Sequence, residues 1–166
     1  MKYTACFITA MLLMIGSFAQ TIKGNYAIKN VQTGLLLRIK DANGKNGTPL
    51  VAYSPENWKC MTWNFKQVEG NTYQLQNLFT NKTFEPITDS SAHTITLSEQ
   101  PMEAKPNQQY EFITAGNSSY LIKLKGTDLY ITSPTDKEEV NAKIILTKKN
   151  NSNTQRWTIY SQTPTM

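Results

Sequence analysis

Apolar residues recur at every second position in short runs along this chain: Tyr26 and Ile28, Tyr73 and Leu75, then Tyr120, Ile122 and Leu124. Period two is the mark of strands with one face on a core. Continuous apolar runs, Leu35–Leu36–Leu37, Leu50–Val51, Leu129–Tyr130–Ile131 and Ile144–Ile145–Leu146, stand between turn formers and read as further short strands. Beyond residue 19 no segment carries a helical stripe, and clusters of Asn, Thr and Gly interrupt the pattern. The pattern predicts an all-β chain.

The strands come in a register. The stretch from Thr154 to Ile159, with Trp157 at its centre, is echoed around Tyr110 and around Trp63, and these three aromatics stand 47 residues apart. The same interval separates Tyr26, Tyr73 and Tyr120, and again Leu37, Phe84 and Ile131, or Leu50, Leu97 and Ile144. Thr33, Thr80 and Thr127 keep it too, each followed by a turn former, Gly34, Asn81 or Asp128. Three copies of one unit follow, with about four strands in each and repeats near 21–67, 68–114 and 115–161. A unit this small buries little apolar surface alone, so the three must share a core. Propellers need four or more blades. Three repeats predict a β-trefoil, one domain over 20–166, with Trp63, Tyr110 and Trp157 supplying equivalent core side chains.

The first 19 residues differ from the rest. Lys2, an apolar run from Ala5 to Met14, and small residues at Ser17 and Ala19 have the layout of a secretory signal peptide cleaved after Ala19. The run is shorter than the roughly 20 residues of a spanning helix, so the expectation is an exported protein, secreted or periplasmic, with no membrane insertion after signal removal. Lys2 is the only charged residue removed, which takes the formal net charge from +5 to +4. Of two cysteines only Cys60 remains. It cannot close an internal disulfide, and beside Trp63 it reads as a small buried hydrophobe.

At these positions the chain resembles a family. Gln155–Arg156–Trp157 is similar to the Gln-x-Trp signature of ricin-type lectin domains, and Asn107–Gln108–Gln109–Tyr110 to its fuller Asn-Gln-x-aromatic form. The run Asn46–Gly47–Thr48–Pro49–Leu50–Val51–Ala52–Tyr53 resembles the family's approach to its third strand. The resemblance spans three repeats and implies a carbohydrate-binding β-trefoil. It also implies a site in each repeat made of an acid at the end of the second strand, a stacking aromatic, and the Asn-Gln pair. Pyranose rings present polar edges and C–H faces at once, which is why those residue types suit them.

No repeat keeps the whole set. Arg38, Glu85 and Thr132 hold the acid position. The first repeat offers the aromatic Tyr53, with Trp58 in the next loop, but has Cys60 and Met61 for the Asn-Gln pair. The second offers Glu85, Asn107 and Gln108, with the lone histidine, His93, in a nearby loop, but has Gln100 for the aromatic. The third, with Thr132, Thr147 and Thr154, reads as structural. The candidate carbohydrate-binding residues are therefore Glu85, His93, Asn107, Gln108, Tyr53 and Trp58.

Plainer readings stand beside these. Gln108 and Gln155 could serve only to satisfy backbone groups, Glu85 could be a solvated edge charge, and Trp58 could pack under its loop. Asp41, Asp89 and Asp136 follow the second strand of each unit and read first as turn residues, second as displaced sugar-facing acids.

Other functions find less support. Paired-His metal motifs, phosphate-cradling Gly loops and nucleophile elbows do not occur, so neither an enzyme nor a cofactor is expected. Lys143, Lys148 and Lys149 lie close to Asp136, Glu138 and Glu139 with no interleaved aromatics, which argues against nucleic acid. The basic balance suits acidic surfaces or acidic glycans. The expected partner is a glycan or glycoconjugate; the alternative is a protein partner, met by a trefoil recognition or inhibitor module whose sugar sites have been lost.

Overall fold

A computed structural model describes residues 21–165. The expected signal peptide lies outside them. Among the described residues twelve strands form one sheet. The first repeat supplies β1 (Gly24–Asn30), β2 (Leu36–Ile39), β3 (Leu50–Tyr53) and β4 (Trp63–Glu69). The second supplies β5 (Thr72–Asn77), β6 (Thr83–Asp89), β7 (Thr94–Gln100) and β8 (Tyr110–Thr114). The third supplies β9 (Ser119–Leu124), β10 (Leu129–Thr132), β11 (Ile145–Lys148) and β12 (Arg156–Ser161).

Antiparallel pairings run β1–β4–β5–β8–β9–β12 and return from β12 to β1, which closes a six-stranded barrel without an edge. The remaining strands form three hairpins, β2–β3, β6–β7 and β10–β11. Bridges Pro49↔Ser98 and Val51↔Lys143, with the β7–β11 pairing, join the hairpins into a cap. This is the β-trefoil.

The repeated positions converge on one core. Trp63, Tyr110, Leu37, Phe84, Ile131, Leu50, Leu97 and Ile144 are completely buried, and Trp157 nearly so. Each large aromatic also caps a carbonyl of its own repeat: Trp63 Nε1 donates to Leu37 O (3.1 Å), Tyr110 Oη to Phe84 O (3.2 Å) and Trp157 Nε1 to Ile131 O (2.9 Å). Residues able to both fill volume and donate one bond suit that position, which is why Trp and Tyr occupy it. The repeated threonines close equivalent turns, with their hydroxyls accepting from the N–H of Leu35, Lys82 and Leu129. Cys60 is buried.

One difference among the repeats matters for the site. The hairpin β6–β7 pairs seven residues on each side, whereas β2–β3 and β10–β11 pair four, although the segments have equal length. Ile87, Thr88, Thr94, Ile95 and Thr96 favour extended pairing, while Gly44, Gly47 and Pro49 in the first repeat and Pro134 in the third interrupt it.

Candidate functional site

Three positions correspond across the repeats: one in the second strand (38, 85, 132), one in the loop after the third strand (58, 105, 152), and one in the short turn before the fourth (61, 108, 155). Their chemistry differs in every repeat.

In the second repeat the centre is Gln108, fully buried in the turn Pro106–Gln108. Its Nε2 donates to Glu85 Oε2 (3.0 Å) and to Pro101 O (2.9 Å). Its Oε1 accepts from Gln74 Nε2 (2.9 Å) and from the N–H of Glu103 (2.8 Å). Two donors and two acceptor sites are all that an amide offers. Its hydrogen-bonding capacity is spent on the protein, where it holds Glu85 and the loop.

Glu85 is held from two sides. Lys105 Nζ lies 2.8 Å from the same Oε2 that accepts from Gln108. Burial is the largest single influence on the carboxyl and works to raise its pKa, but the hydrogen bonds from Lys105 and Gln108, with the lysine's charge, together outweigh it and hold the group below its ordinary value. Glu85 is therefore an ionised acceptor. Its Oε1 makes no hydrogen bond among the described residues. Asn107, next in the chain to Gln108, is exposed.

His93 is not brought to this cluster. It sits exposed with φ 52° at the tip of the β6–β7 hairpin, beyond the Asp89↔Thr94 pair. The four residues from Glu85 to Asp89 alone span roughly 13 Å of strand. The extended pairing of this hairpin, which carries the tip away, is the reason. Asp89 is turn chemistry: its Oδ1 accepts from Ser91 Oγ (2.6 Å) and from two backbone N–H groups, and its Oδ2 pairs with Lys143 (2.9 Å). The Ser91 hydroxyl bond and the Lys143 contact push its carboxyl far below the usual range.

The third repeat closes on itself. Gln155 Nε2 lies within hydrogen-bond reach of Thr147 Oγ1 (2.8 Å), Lys148 O (2.8 Å) and Thr132 Oγ1 (3.1 Å), which share its two N–H donors, and Oε1 accepts from Asn150 N.

The first repeat is aromatic. The Arg38 guanidinium stacks over Tyr53, 3.9 Å from the ring centroid, with the Trp58 ring 5.6 Å away. Tyr53 and Trp58 are half-buried and their rings lie 6.0 Å apart. Beneath them Met61 packs with Ala27 and Leu36. Met61 cannot hold the loop as Gln108 does, and a residue outside the repeated motif does so instead: Gln162 Nε2 donates to Glu56 O (2.7 Å), and Gln162 Oε1 lies 2.8 Å from Thr62 Oγ1. No sequence motif marks Gln162; only its burial at the seam between β12 and the loop identifies it.

The family model for ricin-type beta-trefoil lectin domain-like proteins matches residues 17–97 and 59–147. A search of curated proteins by sequence finds no match. Among solved structures, the designed threefold-symmetric protein ThreeFoil superposes with TM-score 0.77 at 15% identity over 82% of this chain and 98% of its own. The ricin B-like lectin of Macrolepiota procera, solved in complex with lactose, gives TM-score 0.68 at 16% identity over 85% of this chain and 98% of its own. An exo-beta-1,3-galactanase from Clostridium thermocellum gives TM-score 0.75 at 18% identity over 81% of this chain, which spans only 29% of that enzyme.

Proposed function

Since the chain belongs to the ricin-type β-trefoil lectin domain-like family, we propose that it is an exported, non-catalytic carbohydrate-binding protein. Its polar contact with sugar centres on Glu85. The observation that carries this reading is the state of that carboxylate, which is ionised, fixed by Lys105 and Gln108 through one oxygen, and left with a second oxygen to accept from sugar hydroxyls. Asn107 beside it adds an exposed amide. A fold relative seen with lactose supports a neutral sugar as the first ligand to try. Nothing of the galactanase's chemistry is carried across, given how small a share of that enzyme this chain spans. Export rests on the pattern of residues 1–19, and N-terminal sequencing of the mature protein tests it.

Binding of the full chain to a broad glycan array at low and moderate salt tests the function. Binding that survives moderate salt and falls at least tenfold in Glu85→Gln supports the reading. Silence across the array at both salts overturns it and leaves protein recognition on a trefoil scaffold in its place.

A further inference from the structure

Arg38 stands where Glu85 stands in the second repeat, and it lacks what a buried charge ordinarily has. The residue is 8% exposed. Its guanidinium forms no ion pair and no hydrogen bond among the described residues, and Nε is sealed from solvent without a partner. A guanidinium stays charged at any pH the protein meets, and an unpaired buried charge is costly. Stacking on Tyr53 offsets part of that cost through the ring face. It leaves the terminal Nη groups untouched; unlike Nε they are not sealed, and their N–H donors suit carboxylate and sulfate oxygens.

From this geometry we propose that the first repeat is an acidic-sugar site, in which the open terminal N–H groups of Arg38 receive a carboxylate or sulfate group and the half-exposed Trp58 borders the sugar that carries it. The inference rests on the carbohydrate reading above and gives it a second, oppositely charged site. Three features meet there: a cation with unpaired donors, a half-buried Tyr53–Trp58 aromatic pair beside it, and a loop secured from outside the repeat by Gln162 rather than by a local glutamine whose N–H groups would face the cation. The positive formal charge of the chain favours the same ligands at long range.

The test titrates the full chain with an oligogalacturonate, a sulfated galactose oligomer, the matching neutral galactose oligomer, and inorganic sulfate, at moderate salt. Wild type is expected to bind the two acidic oligomers at least tenfold more tightly than the neutral one. Arg38→Gln removes that preference, Arg38→Lys retains only part of it, and Lys66→Gln, which removes an exposed charge elsewhere, changes it less than twofold. Equal losses in Arg38→Gln and Lys66→Gln overturn the proposal in favour of diffuse charge attraction. Inorganic sulfate binding as tightly as the sulfated oligomer overturns its sugar component.

Should Arg38→Gln fail to fold, the wild-type Arg38 Nε–H resonance decides. A shift with acidic but not neutral oligomer supports the site, and a resonance unmoved by both overturns it. The two readings fail separately: binding of the neutral oligomer that depends on Glu85 but not on Arg38, with no preference for the acidic oligomers, retires only this site, whereas silence of the oligomers and of the whole glycan array retires both.

Discussion

The first and second repeats hang from the same frame yet solve the same corner of the fold with opposite chemistry. Where the second has Glu85, Lys105 and Gln108, the first has Arg38, Trp58 and Met61. An anion is balanced by a cation and a donating amide in one; in the other a cation is faced by aromatic rings that pack on a thioether. Each set is consistent within itself, and a single member moved across would be wrong. Gln108 in the first repeat would aim N–H groups at a guanidinium, and Met61 in the second would leave Glu85 with Lys105 alone and two backbone groups without partners. The three positions therefore vary as a unit.

The largest effect is expected where the repeats agree. Trp63→Ala and Tyr110→Ala remove the same part of the frame and should each cost about 3–5 kcal/mol in denaturant unfolding. A gap above about 2 kcal/mol between them would break the equivalence of the two repeats. Next comes Gln108→Met, the first repeat's residue placed in the second. It strands the N–H of Glu103 and the carbonyl of Pro101 and should cost about 2–3 kcal/mol. A loss under about 0.5 kcal/mol in the same unfolding curve would mean that water replaces the amide.

Transplanting in the other direction, Arg38→Glu with Met61→Gln should be more stable than the sum of the single changes by at least about 1 kcal/mol, read from a double-mutant cycle. Additivity would show that the positions do not vary as a unit.

Two acids of the second repeat sharpen the comparison through pH. Glu99, at the position of Ala52, is completely buried with neither carboxyl oxygen hydrogen-bonded, and burial raises its pKa above the ordinary 4.5, with Thr80 and the charge of Lys82 only partly offsetting this. Its neutral form is favoured in the fold, so its contribution to stability is full below the ordinary value and is lost as pH rises through the folded one. Glu99→Gln should therefore be more stable than wild type at pH 7, with the advantage shrinking as pH falls through the raised folded value and gone below 4.5. An advantage independent of pH would point to packing instead.

Glu85 runs the other way. Its lowered pKa gives stability that is present above the ordinary 4.5 and lost as pH falls through the folded value. Glu85→Gln should lower Tm slightly at pH 7 and converge with wild type in acid. A constant offset across pH would deny the ion pair a role.

Much of the fold was legible because its signals are local. Thr33, Thr80 and Thr127 close turns within two residues of themselves, and Trp63, Tyr110 and Trp157 cap carbonyls inside their own repeats, so a fixed spacing carries the information. The site was legible only in part. Glu85 and Gln108 do meet, but whether Gln108 serves a ligand or the protein depends on Gln74, 34 residues away, and on backbone groups no motif records. His93 looked near because loop lengths match; the extra pairing of β6 with β7 removes it. Arg38 read as the loss of an acid, and its unpartnered edge becomes visible only when the neighbours are in place. Gln162, outside the register, gave no signal at all.

The pairing that seals the barrel, β1 with β12, runs from Tyr26↔Ser161 to Asn30↔Trp157. The chain thus enters and leaves the barrel side by side at one end of this ladder. Tension applied through those two ends loads its rungs one after another, as in a zipper, and not all together as in a sheared joint. A fold braced by three aromatics against heat and denaturant is thus built to part at low force along its own seam.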